Sequence, residues 1–146
     1  NVESDTAPLH GIVADLIDSG IDIHCLRDLT RGGLASVLNE LAVAAKVGMM
    51  VEEPAIPVSE PVRGACELLG LDPLYVANEG RFVAILPASQ AEAALAVMRR
   101  HKAASQATHI GTVTTDHNPP MVVLQTVVGT HRVLDLLSGE QLPRIC

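Results

Sequence analysis

Apolar positions recur at helical spacing in three stretches of the chain. Leu9, Ile12, Val13, Leu16 and Ile17 form the first, within residues 8–19, and Gly20 follows as a stop. The clearest stripe occupies positions 34, 37, 38, 41, 42 and 45, which predicts a core-facing helix from Leu34 to about Val47, ending before Gly48. Ala91, Ala94, Leu95 and Met98 form the third, behind Ser89 as its cap. A further helix is predicted over residues 62–69, after the cluster Pro54, Pro57 and Pro61 and before Gly70.

Between these stretches the apolar positions fit strands. Residues 21–27 alternate, and 48–52, 110–114, 121–128 and 132–136 read as further short strands. Residues 82–86, closed by Pro87, form the continuous apolar run of a strand buried on both faces. Strict strand-helix alternation and internal repeats are both missing, so the predicted class is α+β, a sandwich whose mostly antiparallel or mixed sheet carries its helices chiefly on one side. The 146 residues suffice for one domain, expected over 1–137, with a flexible C-terminal tail over 138–146.

Composition narrows the function. Aromatics make up only 1% of the chain, Tyr75 and Phe82, so the core must come from Leu, Val, Ile and Ala, and recognition by aromatic stacking has almost nothing to work with. A formal charge of -7 has the wrong sign for holding a phosphate backbone, which argues against nucleic acid as a partner. No run reaches the roughly 18 uninterrupted apolar residues of a membrane helix, and the start, Asn1 to Asp5, is acidic where a signal peptide is basic. A soluble, cytoplasmic chain is expected. Beginning with Asn rather than Met and ending in Cys, it reads as a fragment that keeps its native end.

Cys25, Cys66 and Cys146 are odd in number and far apart, the pattern of free thiols, with Cys25 and Cys66 expected in the core. The six histidines, His10, His24, His101, His109, His117 and His131, are scattered, and no metal site is assigned to them.

Two interior segments could carry chemistry. In Asp28-Leu29-Thr30-Arg31-Gly32-Gly33-Leu34, adjacent glycines opening a helix cost on the order of 1 kcal/mol each against Ala, which marks a close approach to the backbone. An anion at the helix start, with Arg31 and Arg27 nearby, is one reading. The other is a capped turn, with Asp28 or Thr30 as N-cap and the glycines lying beneath a neighbouring strand. Asn39 and Glu40 on the same helix read as solvated surface or as supports behind the site, with surface preferred. In Asn78-Glu79-Gly80-Arg81, a carboxylate at the mouth of a sheet can act as a general acid or base when partial burial raises its pKa; the same residues also suit a plain turn.

The end, Gln141-Leu142-Pro143-Arg144-Ile145-Cys146, has no strand or helix pattern. Nine residues from Ser138 span roughly 30 Å when extended, enough to visit a distant site. The chain-end carboxylate acts to raise the pKa of the terminal thiol and Arg144 to lower it. A frayed end with an incidental Cys is the alternative.

Taken together, Asp28 to Leu34 with Asn39-Glu40, Ala77-Asn78-Glu79-Gly80 before an apolar strand, and the terminal Pro143-Arg144-Ile145-Cys146 resemble the HypE family of hydrogenase maturation proteins, within the superfamily of aminoimidazole ribonucleotide synthetase and selenophosphate synthetase. The resemblance covers essentially the whole chain but only the C-terminal half of the family's protein. It implies a PurM C-terminal-like α/β sandwich with partial ferredoxin-like topology. It further implies that Cys146 accepts a carbamoyl group from the carbamoyltransferase HypF, and that ATP-dependent dehydration converts this to a thiocyanate. The cyano group then passes to iron on the HypC and HypD scaffold. By matching position, Pro143, Arg144 and Ile145 would thread Cys146 into the site, Glu79 would be the acid/base group with Asn78 beside it, and Asp28, Thr30, Arg31, Gly32 and Gly33 would face the nucleotide phosphates. ATP and Mg2+ would be held mainly by an absent N-terminal domain that also forms the homodimer core, so this chain alone is expected to be inactive. Leu29 stands where relatives often have Pro. The alternatives are another ATP-dependent synthetase of that superfamily and a noncatalytic docking module.

Overall fold

The apolar stripe beginning at Leu34 forms helix α2 (Gly33–Ala45), which buries Leu34, Ala35, Val37, Leu38 and Ala42. Its end falls earlier than the glycine at 48 suggests. Lys46 takes the left-handed conformation (φ 57°) usual for a C-terminal Gly, and Val47 N–H returns to the Ala42 carbonyl, which frees Gly48 to start strand β2 (Gly48–Glu52). This is a computed structural model, and it describes residues 4–115 and 119–136. The expected tail over 138–146, with Pro143, Arg144, Ile145 and Cys146, lies outside the described residues, as does His117.

The other elements follow the sequence with shifted ends. Helix α1 (His10–Asp18) buries Ile12 and Leu16. Strand β1 (Cys25–Leu29) begins four residues later than the alternation predicts, because Ile21 and Ile23 pack as separate apolar contacts against the α1 cluster instead of joining a ladder. Helix α3 (Glu60–Leu69) starts at the Ser59-Glu60-Pro61 turn and closes on Gly70. Strand β3 (Asn78–Ile85) starts four residues before the apolar run, so Asn78 to Arg81 belong to the strand rather than to a preceding turn. Ser89 lies inside a 3-10 turn, Ala88–Gln90, and does not cap helix α4 (Ala91–Met98). Strands β4 (Gly111–Thr114), β5 (Val122–Gln125) and β6 (His131–Leu134) complete the order. No helix of the described residues is long and apolar enough to cross a membrane.

There are two sheets where one was expected. Strands β1 and β3 form an antiparallel ribbon; the other four line up as β4-β2-β5-β6, with β2 and β5 parallel and the remaining pairs antiparallel. Helix α2 packs with the four-stranded sheet in the larger core, around Leu38, Met49, Val51, Val122, Leu124 and Leu134. Ile12, Leu16, Ala94 and Val97 of α1 and α4 form a smaller core. The helices are thus divided between two cores rather than collected on one side. Strand β3 is the shared wall. Val83 and Ile85 face the larger core, while Phe82 and Leu86 face the smaller one. A period-2 alternation in which both faces are apolar explains the uninterrupted hydrophobic run.

Candidate functional site

The β1–β3 pairing brings the two interior motifs together. The register runs from Cys25 opposite Ile85 to Asp28 opposite Phe82, then jumps so that Leu29 meets Asn78. Residues 79–81 bulge out of the ladder at that jump. Asp28, Thr30 and the glycines that open α2 therefore lie at the same end of the ribbon as Asn78 and Glu79.

Around this end the polar groups are knitted by exposed contacts. Thr30 Oγ1 donates to Asp28 Oδ2. Arg27 Nη2 donates to Glu40 Oε2 at 2.8 Å, and Arg27 Nε lies 3.6 Å from Asp28 Oδ1. Such exposed pairs are worth about 0–1 kcal/mol each, so they orient side chains rather than hold the fold. Arg31 is exposed beside them. Neither Asp28 nor Thr30 caps α2; the N-cap is Gly32, without a side-chain cap.

The glycines answer the question of what approaches the backbone. Gly32 and Gly33 have φ of 69° and 62°, a region that L side chains rarely adopt. A Cβ on Gly33 would sit 2.6 Å from both the Leu74 and Val76 carbonyl oxygens, and one on Gly32 would run into Ser36. The close neighbour of Gly33 is thus the chain's own segment 74–76, the end of a 3-10 turn rather than the neighbouring strand expected there.

Asn78 and Glu79 differ in environment. Asn78 Oδ1 is buried and has no hydrogen-bond partner among the described residues, an orphaned acceptor at the junction. Glu79 is exposed, so the described residues do not supply the partial burial expected for it. Its backbone N–H donates to the Asp5 carboxylate at 3.1 Å, and a Cβ on Gly80 would fall on the Asp5 carbonyl. The N-terminal segment thus crosses directly over the bulge.

Three residues that matter here gave little sequence signal. Asp5 lies far away in the chain. Asn39, expected on the surface, is buried, and its Nδ2 donates to the carbonyls of Ala35 (2.9 Å) and Leu134 (2.8 Å). Glu40 beside it is exposed, as expected. Tyr75 donates its hydroxyl to the Asp135 carbonyl at 2.9 Å. Burial first, then the Asp72 and Asp135 charges, push its pKa up, against the lowering effect of Arg132 and of the Asp135 backbone bond. Of the two interior thiols, Cys66 is buried and Cys25 only partly so. A groove of about 530 Å³ between the ribbon and β2–β4 is lined by Leu34, Met49, Val83 and Ile85 among others, and none of Asp28, Thr30, Gly32, Gly33, Asn78 or Glu79 reaches its wall. Among the described residues no group of three or more His, Cys, Asp or Glu could hold a metal ion.

Residues 3–123 match the family described as AIR synthase related protein, C-terminal domain. The chain belongs to that family. Within it the similarity is to HypE. The carbamoyl dehydratase HypE of Azotobacter vinelandii is 55% identical over 146 residues, all of this chain and 42% of that relative. A crystal structure of hydrogenase maturation protein HypE in complex with ATP superposes with a TM-score of 0.93 at 48% identity, covering 100% of this chain and 44% of the other. HypE in a crystal structure of a HypE-HypF complex gives a TM-score of 0.85 at 40% identity, covering 92% of this chain and 43% of that one. These matches bear out the α+β fold that the motifs implied. The chain spans less than half the length of these relatives.

Proposed function

We propose that this chain is the C-terminal part of an ATP-dependent carbamoyl dehydratase that makes the cyanide ligand of a [NiFe] hydrogenase iron centre. Cys146 carries the carbamoyl group, Cys–S–C(=O)–NH2. The carbamoyl oxygen attacks the γ-phosphorus of ATP, ADP leaves, and one N–H proton is lost, giving an O-phosphorylated thioimidate, S–C(=NH)–OPO3. Removal of the second N–H proton as phosphate departs gives the thiocyanate, Cys–S–C≡N. Glu79 is the acid/base group for these protons, with Asn78 beside it. Asp28, Thr30, Arg31, Gly32 and Gly33 form the wall toward the phosphates. Pro143, Arg144 and Ile145 lead Cys146 in.

The observation that carries this reading is the Leu29–Asn78 pairing, which gathers the two interior motifs of the HypE-like pattern at one end of the ribbon. An orphaned Asn78 Oδ1 there suits a site completed by a further group, such as the carboxamide N–H of the loaded tail. The described residues offer no acidic cluster for Mg2+. Metal and most phosphate contacts are therefore assigned to the part of the relatives' length that this chain does not span, and the chain alone is inactive. By the same reading it acts in the cytoplasm within a homodimer, loads from HypF and unloads onto HypC-HypD. A HypE-HypF complex among the structural neighbours supports the first of these partners.

The test uses the two-domain protein with HypF, carbamoyl phosphate and ATP, read by intact mass. Gain of one carbamoyl group, then loss of one water from it, is expected. A Cys146→Ala variant that still took up the group would overturn the assignment.

A further inference from the structure

The ladder does not set the bulge that carries Glu79. Asn78 is fixed opposite Leu29 and Phe82 opposite Asp28, but Glu79, Gly80 and Arg81 face no residue of β1. A backbone released in this way must find other partners for its polar groups. Contacts from outside the ribbon supply them. At one end the Glu79 N–H donates to Asp5 Oδ2 at 3.1 Å, and at the other Arg81 Nη1 donates to the Pro57 carbonyl at 2.6 Å. Between them two backbones touch, since a Cβ on Gly80 would fall on the Asp5 carbonyl and lie 3.0 Å from the Ala7 nitrogen. Only glycine admits a strap this close. The strap has its own anchors. Ser4 Oγ accepts from the Thr6 N–H at 3.3 Å and donates to Thr6 Oγ1 at 3.2 Å, which closes a hydrogen-bonded ring around Asp5. Leu9, two residues beyond Ala7, packs into the smaller core and stands at the start of α1.

We propose that Asp5 is a positioning residue for Glu79, gripping its N–H so that the Cα–Cβ bond, and with it the carboxylate, leaves the bulge in one direction. The inference rests on the acid/base reading of Glu79 given above. A group that moves protons works only when held within reach of them, and a misplacement of about 1 Å can cost about 10²-fold in rate. Glu79 is exposed, and among the described residues no group bonds to its carboxylate, so its aim depends on the backbone beneath it. That backbone is free of the ladder and is held at residue 79 by Asp5. Asp5 itself is brought there by contacts that do not involve the Glu79 side chain, which makes it a fixed point rather than a follower.

The test asks whether Asp5 acts only through Glu79. The two-domain protein is incubated with HypF, carbamoyl phosphate and ATP, and loss of water from the carbamoyl adduct is followed by intact mass. Asp5→Ala is expected to load normally and to lose water about tenfold more slowly, the factor that one hydrogen bond to a charged group sustains. Asp5→Asn, which keeps an oxygen acceptor in the same place, is expected to recover most of the rate. Gly80→Ala, which pushes the strap away while leaving Asp5 intact, is expected to repeat the loss. The deciding readout is the cycle with Glu79→Gln. Added to that variant, Asp5→Ala should slow it no further, because residues that act as one unit are not additive. Additive slowing, or a normal rate in Asp5→Ala beside a slow Glu79→Gln, overturns the positioning role and leaves that of Glu79 in place. A Glu79→Gln variant that dehydrates at the normal rate overturns both.

Discussion

Leu29 and Asn78 face each other as the last pair of the β1–β3 ribbon, and Glu79 to Arg81 stand outside the ladder before Asp28 meets Phe82. A bulge at a strand end re-aims side chains that regular pairing would send to fixed faces. Here it releases Glu79 from the inside-outside alternation of β3 and leaves it exposed at the edge of the motif junction.

That placement makes Glu79→Gln the informative change. In the two-domain protein the variant is expected to accept the carbamoyl group normally and to dehydrate it about 10²- to 10⁴-fold more slowly, the usual contribution of a positioned acid/base group. Intact mass over time checks this: the carbamoyl adduct should accumulate. Thiocyanate formed at the normal rate would remove Glu79 from the chemistry.

Gly33→Ala combines two penalties. A left-handed backbone costs an L-residue roughly 1–2 kcal/mol, and the new methyl meets two carbonyl oxygens at 2.6 Å, an overpacking worth about 1–3 kcal/mol more. Urea denaturation of the isolated chain should show a loss of that combined order. A loss under about 0.5 kcal/mol, the ordinary range for surface changes, would mean that segment 74–76 moves away freely.

Asn39→Ala and Glu40→Ala are neighbours with opposite expectations. The first leaves the Leu134 carbonyl short of its donor inside the larger core and should cost about 1–3 kcal/mol. The second breaks only the exposed pair with Arg27 and should cost no more than about 1 kcal/mol. Equal midpoints for the two variants in urea would contradict the burial of Asn39.

Tyr75 gives a pH signature. Its folded pKa is raised above the ordinary 10.0 by burial and by Asp72. Between 10.0 and the raised value, the folded chain keeps a proton that the unfolded chain has lost. Stability therefore falls as pH climbs through that window, and the phenol contributes no pH dependence well below it. Denaturation midpoints followed from neutral to alkaline pH should show this decline in the wild type. Tyr75→Phe should show less of it, and an identical decline would assign the loss to other groups.

The parts of this molecule that can be read locally are those set by neighbours in sequence. The α2 stripe, β2 and the stop at Gly70 need only spacing and backbone preference, and they stand where the pattern put them, within a residue or two. The division into two sheets was not legible, because an apolar strand such as β3 reads the same whether its faces meet one core or two. Asn39 was misread for a related reason. A polar residue outside the apolar stripe suggests solvent, and its partner, the Leu134 carbonyl, is 95 residues away. At the site, the two motifs were visible as residue types, but their meeting depends on a register jump that no local pattern encodes.

The shared wall has a consequence for how the molecule breathes. Among the described residues four buried side chains, Ile12, Leu16, Ala94 and Val97, seal α1 and α4 against one face of the ribbon, whereas the opposite face belongs to a cluster of twelve. Local opening follows the poorer contact network. The α1–α4 layer is therefore the unit that lifts first, baring Phe82 and Leu86, while Leu29, packed in the larger cluster, keeps the far end of the ribbon shut. Amide exchange should record two tiers of protection on a single strand pair, and the motif junction belongs to the slower one.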